Sequence, residues 1–180
     1  ICMIRNNYMV LEKNGGLRLE QNDHLILTEH DLEYLLDYML GAEMEFSSKS
    51  AKLSNVWQHH IKEINPRIKQ IILKLQAKAT QTYKEELELT HPYFLHYRRG
   101  AKADTHVDKK ELAYVTVIVP LLLSKDMKGG ESYIENHNGD QKVIPVAVGD
   151  SLYYNYKTQH GVKELIHGSR RVFITWFKRK

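Results

Sequence analysis

The stretch PYFLHYRRGAKADTHVDKKELAYVTVIVPLL, residues 92–122, decides how this chain is read. Its apolar residues come in short runs broken by turn formers, not at helical spacing. Tyr93–Arg98, Thr105–Asp108 and Leu112–Leu122 read as strands, with Arg99-Gly100 as a turn after the first. The texture continues through Glu131–Asn136, Lys142–Val148, Ser151–Asn155, His160–Ile166 and Arg170–Lys178. Turns fall at Lys128-Gly129-Gly130, Asn138-Gly139-Asp140, Gly149-Asp150 and Gly168-Ser169. So many short, closely spaced strands must pack as two facing sheets. The expectation is an α+β, mainly β fold: a double-stranded β-helix (jelly roll) over residues 91–180.

Outward from there, residues 1–90 read as support for that roll. Short β-segments are expected at Tyr8–Leu11 and Leu25–Leu27, with a turn at Asn14-Gly15-Gly16. A helix follows from Glu29 to Leu40, capped by Thr28 and stopped at Gly41, with Leu32, Leu35, Leu36 and Met39 on its apolar face. Residues 41–56 read as an irregular, mobile loop. A second helix starts with Asn65 as N-cap and Pro66 in the first turn, and runs to about Thr82 with Ile68, Ile71, Ile72 and Leu75 buried. The two helices are expected to buttress one sheet.

The 180 residues suit a single domain, and 42% hydrophobic with 27% charged residues excludes compositional disorder. No apolar run is long enough for a membrane-spanning helix, and no signal-peptide pattern opens the chain. Cys2 is the only cysteine, which excludes an internal disulfide framework and fits a reducing compartment, so the expected location is cytoplasmic. A net charge of +4 is a weak argument for nucleic acid. Ten histidines are the first hint of chemistry.

His106-Val107-Asp108 is the one His-x-Asp in the chain. On a strand, residues two apart share a face, so both side chains can converge inside the roll. His160 opens a later strand and can supply a third ligand. Two imidazoles and a carboxylate on one face leave open positions on an octahedral metal, the facial arrangement of non-haem Fe(II) oxygenases. Ten residues after His160, Arg170 shares a strand face with Val172, Ile174 and Trp176, while Arg171, Phe173, Thr175 and Phe177 share the other. An arginine pointing into the roll needs a carboxylate partner, because an unpaired buried guanidinium is costly. The dipeptide His59-His60 reads as solvent-facing, and His24, His30, His91, His96, His137 and His167 lack a partner at ligand spacing. The pair Lys109-Lys110, directly after the metal motif, could form a basic rim for an acidic or peptide substrate.

Taken together, His106-x-Asp108, Gly129-Gly130-Glu131, Gly149-Asp150-Ser151-Leu152, His160, and Arg170 with Trp176 six residues on resemble the Fe(II)/2-oxoglutarate-dependent dioxygenases. Tyr97-Arg98-Arg99-Gly100, with Tyr97 nine residues before His106, is similar to the opening of the prolyl 4-hydroxylase-like subgroup. The resemblance covers residues 93–178. It implies His106, Asp108 and His160 as iron ligands and Arg170 as the partner of the distal carboxylate of 2-oxoglutarate. It also implies Tyr97 as a pocket residue beside that co-substrate. The cofactors it brings are Fe(II) and 2-oxoglutarate, with ascorbate as an optional addition. The partners are 2-oxoglutarate, O2 and a substrate that is a protein or peptide in the subgroup's best-known case. The activity implied couples oxidative decarboxylation of 2-oxoglutarate to hydroxylation of a C–H bond, peptidyl proline being that best-known target. There are departures: the strand 112–122 has Thr116 but no arginine, and Val172 stands where the plant small-molecule branch has serine. A zinc-dependent hydrolase and a non-catalytic jelly-roll binding module are the competing readings.

Overall fold

The computed structural model describes residues 7–11, 17–21, 26–49 and 52–180. The N-terminal half holds β1 (Asn7–Leu11), β2 (Leu17–Gln21), α1 (Glu29–Gly41), β3 (Glu45–Lys49), β4 (Leu53–His60) and α2 (Pro66–Tyr83). The remainder is β5 (Leu87–His106), β6 (Val115–Leu123), β7 (Lys128–Gly129), β8 (Ser132–Glu135), β9 (Gln141–Val143), β10 (Ser151–Asn155), β11 (His160–Val162), β12 (Leu165–His167) and β13 (Arg170–Arg179). Among the described residues the chain is mostly β, with two helices on a curled, largely antiparallel sheet of eleven strands. Its order is β2-β1-β10-β6-β13-β5-β11-β8-β9, and the β3–β4 hairpin joins through β4 to β5. Strands β7 and β12 pair separately.

Both helices start where the capping residues place them. Thr28 accepts from the Asp31 backbone amide while Asp31 accepts from that of Thr28, a reciprocal capping box. Asn65 accepts from the Ile68 amide at 2.9 Å, ahead of Pro66. Asp31 then ties the helices together, through Arg67 at 2.8 Å and Lys74 at 2.6 Å. Burial alone would raise this carboxyl; the Lys74 bond and the Thr28 cap bring it below its ordinary value. Leu32, Leu35 and Met39 of α1 and Ile68, Ile71, Ile72 and Leu75 of α2 are buried against one face of the sheet.

That face comes from strand alternation. Phe94 of β5, Val117 and Val119 of β6, and Phe173 and Phe177 of β13 point to the helices. Tyr93, Leu95, Tyr97, Ile118, Val172 and Ile174, one step out of phase, form a second core on the other side.

Several sequence expectations are corrected. Residues 41–56 are not an irregular loop: they contain β3 and the start of β4, which pairs with β5 from Leu53↔Ala103 to His60↔Tyr93. Alternation across Phe46, Val56 and Trp57 is hidden by the serines and lysines between them. Arg99-Gly100 does not separate two strands. Gly100 takes a positive φ of 79° inside one twenty-residue strand, so glycine here permits an irregularity, not a reversal. Leu25–Leu27 is not the second β-segment: Ile26 and Leu27 form a bend, Leu25 lies outside the described residues, and β2 pairs with β1 instead. The turn at residues 14–16 also lies outside the described residues. Expected strand His160–Ile166 is two strands, β11 and β12.

Candidate metal centre and its cavity

Strand register brings the two histidines together. His160 and His106 are direct cross-strand partners on β11 and β5, with ring centroids 4.4 Å apart. Asp108 arrives differently. β5 ends at His106, so the ladder does not hold Asp108 as the alternation argument assumed. Thr116 on β6 donates its hydroxyl to Asp108 Oδ2 at 2.6 Å. Lys52, beside β4, donates to the Val107 carbonyl at 2.9 Å and lies 3.5 Å from Asp108 Oδ1. The Thr116 contact spans eight residues, whereas Lys52 comes from a segment distant in sequence.

The resulting cluster has metal-ligand chemistry. One donor atom from each of His106, Asp108 and His160 lies within 4.8 Å of the others. His106 Nε2 is 3.8 Å from Asp108 Oδ1, and His160 Nε2 is 3.8 Å from Oδ2. Nδ1 of His106 contacts the Asp104 carbonyl at 2.7 Å, and Nδ1 of His160 contacts that of Thr158 at 2.9 Å. A carbonyl can only accept, so each Nδ1 carries the proton and each Nε2 lone pair is free to bind a cation. Burial lowers both imidazole pKa values, that of His160 to about 4, so both rings are neutral near pH 7 and able to bind a cation. Two neutral nitrogens and one carboxylate fit a divalent transition metal and leave positions free for others.

The cluster opens into a cavity of about 330 Å³. Along β13 its wall carries Ile174 and Trp176, and Trp176 is paired with Thr116 on β6 and His91 on β5. At the other end Arg170 pairs with Tyr97. Tyr97, Tyr93 and Tyr154 are buried wall residues, and burial raises all three phenols, Tyr97 to about 12. They are neutral hydrogen-bonding groups at any working pH.

Arg170 is 1% exposed, with its guanidinium carbon 5.4 Å from the Tyr97 ring centre. It donates through Nη1 to the Gly130 carbonyl and through Nη2 to Ser132 Oγ at 2.8 Å. Its Nε is buried with no partner. Burial pulls its pKa down, yet arginine keeps its charge. Arg171 points the other way and is only partly buried.

Gly129-Gly130 is what lets the Gly130 carbonyl approach. Both residues have positive φ, and a Cβ on Gly129 would lie 2.0 Å from the Glu164 carbonyl oxygen.

Two histidines read as bland are cavity residues. His60 Nδ1 lies 2.5 Å from His91 Nε2, and both rings line the cavity beside Trp176 and Tyr93. No ligand spacing signals them, because the pairing of β4 with β5 creates the contact. Lys52 and Ser132 were likewise missed, whereas Thr116 stands out as the one hydroxyl among apolar residues on β6.

No family model matches the sequence, and no curated protein matches it. Solved structures do. An oxidoreductase of the 2OG-Fe(II) oxygenase family from Burkholderia pseudomallei superposes with TM-score 0.72 at 12% identity, over 89% of this chain and 84% of that one. The chain has the fold of the 2-oxoglutarate/Fe(II) oxygenases. A prolyl-4-hydroxylase from Pseudomonas putida with this oxygenase fold gives 0.71 at 16% identity, over 88% and 91%. HygX from Streptomyces hygroscopicus, with nickel and 2-oxoglutarate bound, gives 0.69 at 13%, over 87% and 81%.

Proposed function

We propose that this protein is a non-haem Fe(II) dioxygenase that couples oxidative decarboxylation of 2-oxoglutarate to hydroxylation of a substrate C–H bond. The observation that carries the reading is the cluster of two neutral imidazoles, His106 and His160, with the Asp108 carboxylate, at one part of a cavity whose far end adjoins a buried, charged arginine. A transition-metal site and an anion site joined by one cavity suit a keto-dicarboxylate. In this reading the sheet is a double-stranded β-helix, residues 1–180 act as one domain with 91–180 as the catalytic core, and the reducing compartment is the cytoplasm. The substrate class we favour is a peptide, with prolyl residues as first candidates, in keeping with the prolyl hydroxylases among the structural relatives.

Fe(II) held by this triad would supply the oxidative chemistry: 2-oxoglutarate, O2 and a C–H substrate become succinate, CO2 and the hydroxylated product, with ascorbate as an accessory reductant. The remaining work belongs to the chain. The Asp104 and Thr158 carbonyls hold the imidazole tautomers, so no proton must be lost before a cation binds. Thr116 fixes one carboxylate oxygen of Asp108. Arg170 offers charge to an anionic end group, and Tyr97 offers a neutral hydroxyl beside it. Apolar walls at Ile118, Ile174 and Leu152 exclude water.

Succinate release from 2-oxoglutarate is the test, measured with and without added Fe(II). Iron-dependent succinate formation that disappears in His160→Ala supports the reading. Absence of succinate from the iron-loaded protein across a substrate panel, with no 2-oxoglutarate binding, overturns it.

A further inference from the structure

Along β13, Trp176 lies about 20 Å from Arg170, so an anion held at the arginine leaves the opposite end of the cavity to the substrate. That end is walled by rings. His60 and His91 have ring centres 4.7 Å apart, Tyr93 stacks on both at 5.7 and 5.4 Å, and Trp176 meets Tyr93 edge-on at 5.3 Å. Among these rings sits a polar pair. His60 Nδ1 and His91 Nε2 are 2.5 Å apart, so one of them carries hydrogen and the other a lone pair. Burial lowers the pKa of both imidazoles, and the Glu45 charge that opposes it at His60 is the smaller effect. Both rings are therefore neutral near pH 7.

A neutral imidazole has one N–H and one bare nitrogen. Whichever ring donates within the pair, the outer nitrogens, His60 Nε2 and His91 Nδ1, are left as one donor and one acceptor. Among the described residues neither has a hydrogen-bond partner. A carboxylate can use only the donor, and an ammonium only the acceptor. A residue of an extended peptide uses both, because its N–H and C=O leave the same side of the chain. Gln58 supplies the repeat. It lies two residues before His60 on β4, lines the same cavity, and offers a carboxamide donor and acceptor. Two residues along a strand are about 6.6 Å, the interval at which an extended peptide presents the same side again.

We propose that His60 and His91 bind the backbone of an extended peptide substrate, accepting from the N–H and donating to the C=O of one residue, while Gln58 takes the residue two positions along. The proposal deepens the peptide-hydroxylase reading above and rests on it.

Two ten-residue probes test it: alternating alanine and proline, and decaproline, which has no backbone N–H. Both are blocked as N-acetyl methyl esters, and binding is measured calorimetrically to protein loaded with Ni(II) and 2-oxoglutarate. The alternating peptide should bind about tenfold more tightly, since decaproline leaves a buried acceptor unmet. Equal binding, or tighter binding of decaproline, overturns the proposal, and this comparison needs no variant. His60→Phe and His91→Phe keep a ring but lose the hydrogen bonds, and each should bring the two peptides within about twofold of one another. A preference that survives in either variant removes that residue from the pair. If 2-oxoglutarate binds and neither peptide does, this proposal fails alone. If 2-oxoglutarate does not bind, the proposed function itself fails.

Discussion

The two faces of β5, β6 and β13 are made by the same strands and do opposite things. The helix face interdigitates Phe94, Phe173, Phe177, Val117 and Val119 with α1 and α2 and holds no cavity residue. The other face alternates the same backbone with Tyr93, Tyr97, Thr116, Ile174 and Arg170, and encloses open space with an unpartnered arginine nitrogen. Packing density on one face carries stability, so the other can keep a void and a buried charge that packing alone would eliminate. Substitutions on the two faces should therefore separate stability from function.

The largest separation is expected at the triad. His106→Ala, Asp108→Ala and His160→Ala should each lower metal affinity by more than about a hundredfold and abolish turnover, since even partners of ligands cost 10–100-fold. Thermal unfolding of the metal-free protein should barely move. Metal content and succinate release, read beside melting curves, test this; full succinate production by any one variant removes that residue from the site. Phe173→Ala, on the packed face, should do the reverse. It should cost about 3–5 kcal/mol of stability in denaturant titration while folded protein keeps its metal affinity.

Adjacent residues give a sharper contrast. Arg170→Ala should raise the apparent Michaelis constant for 2-oxoglutarate at least about tenfold, as loss of a charged partner costs about 2–5 kcal/mol. Arg171→Ala should raise it less than about threefold, because its side chain leaves by the opposite face. A damaging Arg171→Ala with a silent Arg170→Ala would break the comparison outright.

The smallest effect concerns pH. Burial, then the charges of Arg171 and Arg98, depress the His96 pKa from 6.5 to about 4. Between those values the unfolded chain binds the proton and the folded one does not, so stability falls as pH drops from about 6.5 toward 4. His96→Gln should remove about 1–2 kcal/mol of that acid loss in urea melts at pH 7 and pH 4.5. An unchanged pH slope would place the titration elsewhere, on the other histidines with depressed values.

Legibility in the sequence follows the range of the interaction. The helices were readable because Thr28, Asn65 and Pro66 act within one turn of the backbone they cap. The inward face of β13 was readable because alternation is a property of the strand itself. Residues 41–56 were not, since β3 is a strand by virtue of pairing with β4, and β4 by virtue of pairing with β5. Nor was the His60–His91 contact, which joins residues 31 apart.

By itself the sequence determined the strand-rich half, the two capped helices, which side of β13 Arg170 occupies, and the candidate ligands His106, Asp108 and His160. Each rests on local periodicity or on residue chemistry. Only the tertiary structure decided how those groups are held. It set His106 opposite His160 by cross-strand register, and it fixed Asp108 beyond the end of its strand through Thr116 and Lys52. It also placed Ser132 between the arginine and the cavity. Spacing along a strand dictates the face a side chain takes, whereas bringing the ligands to one point depends on register between strands remote in sequence.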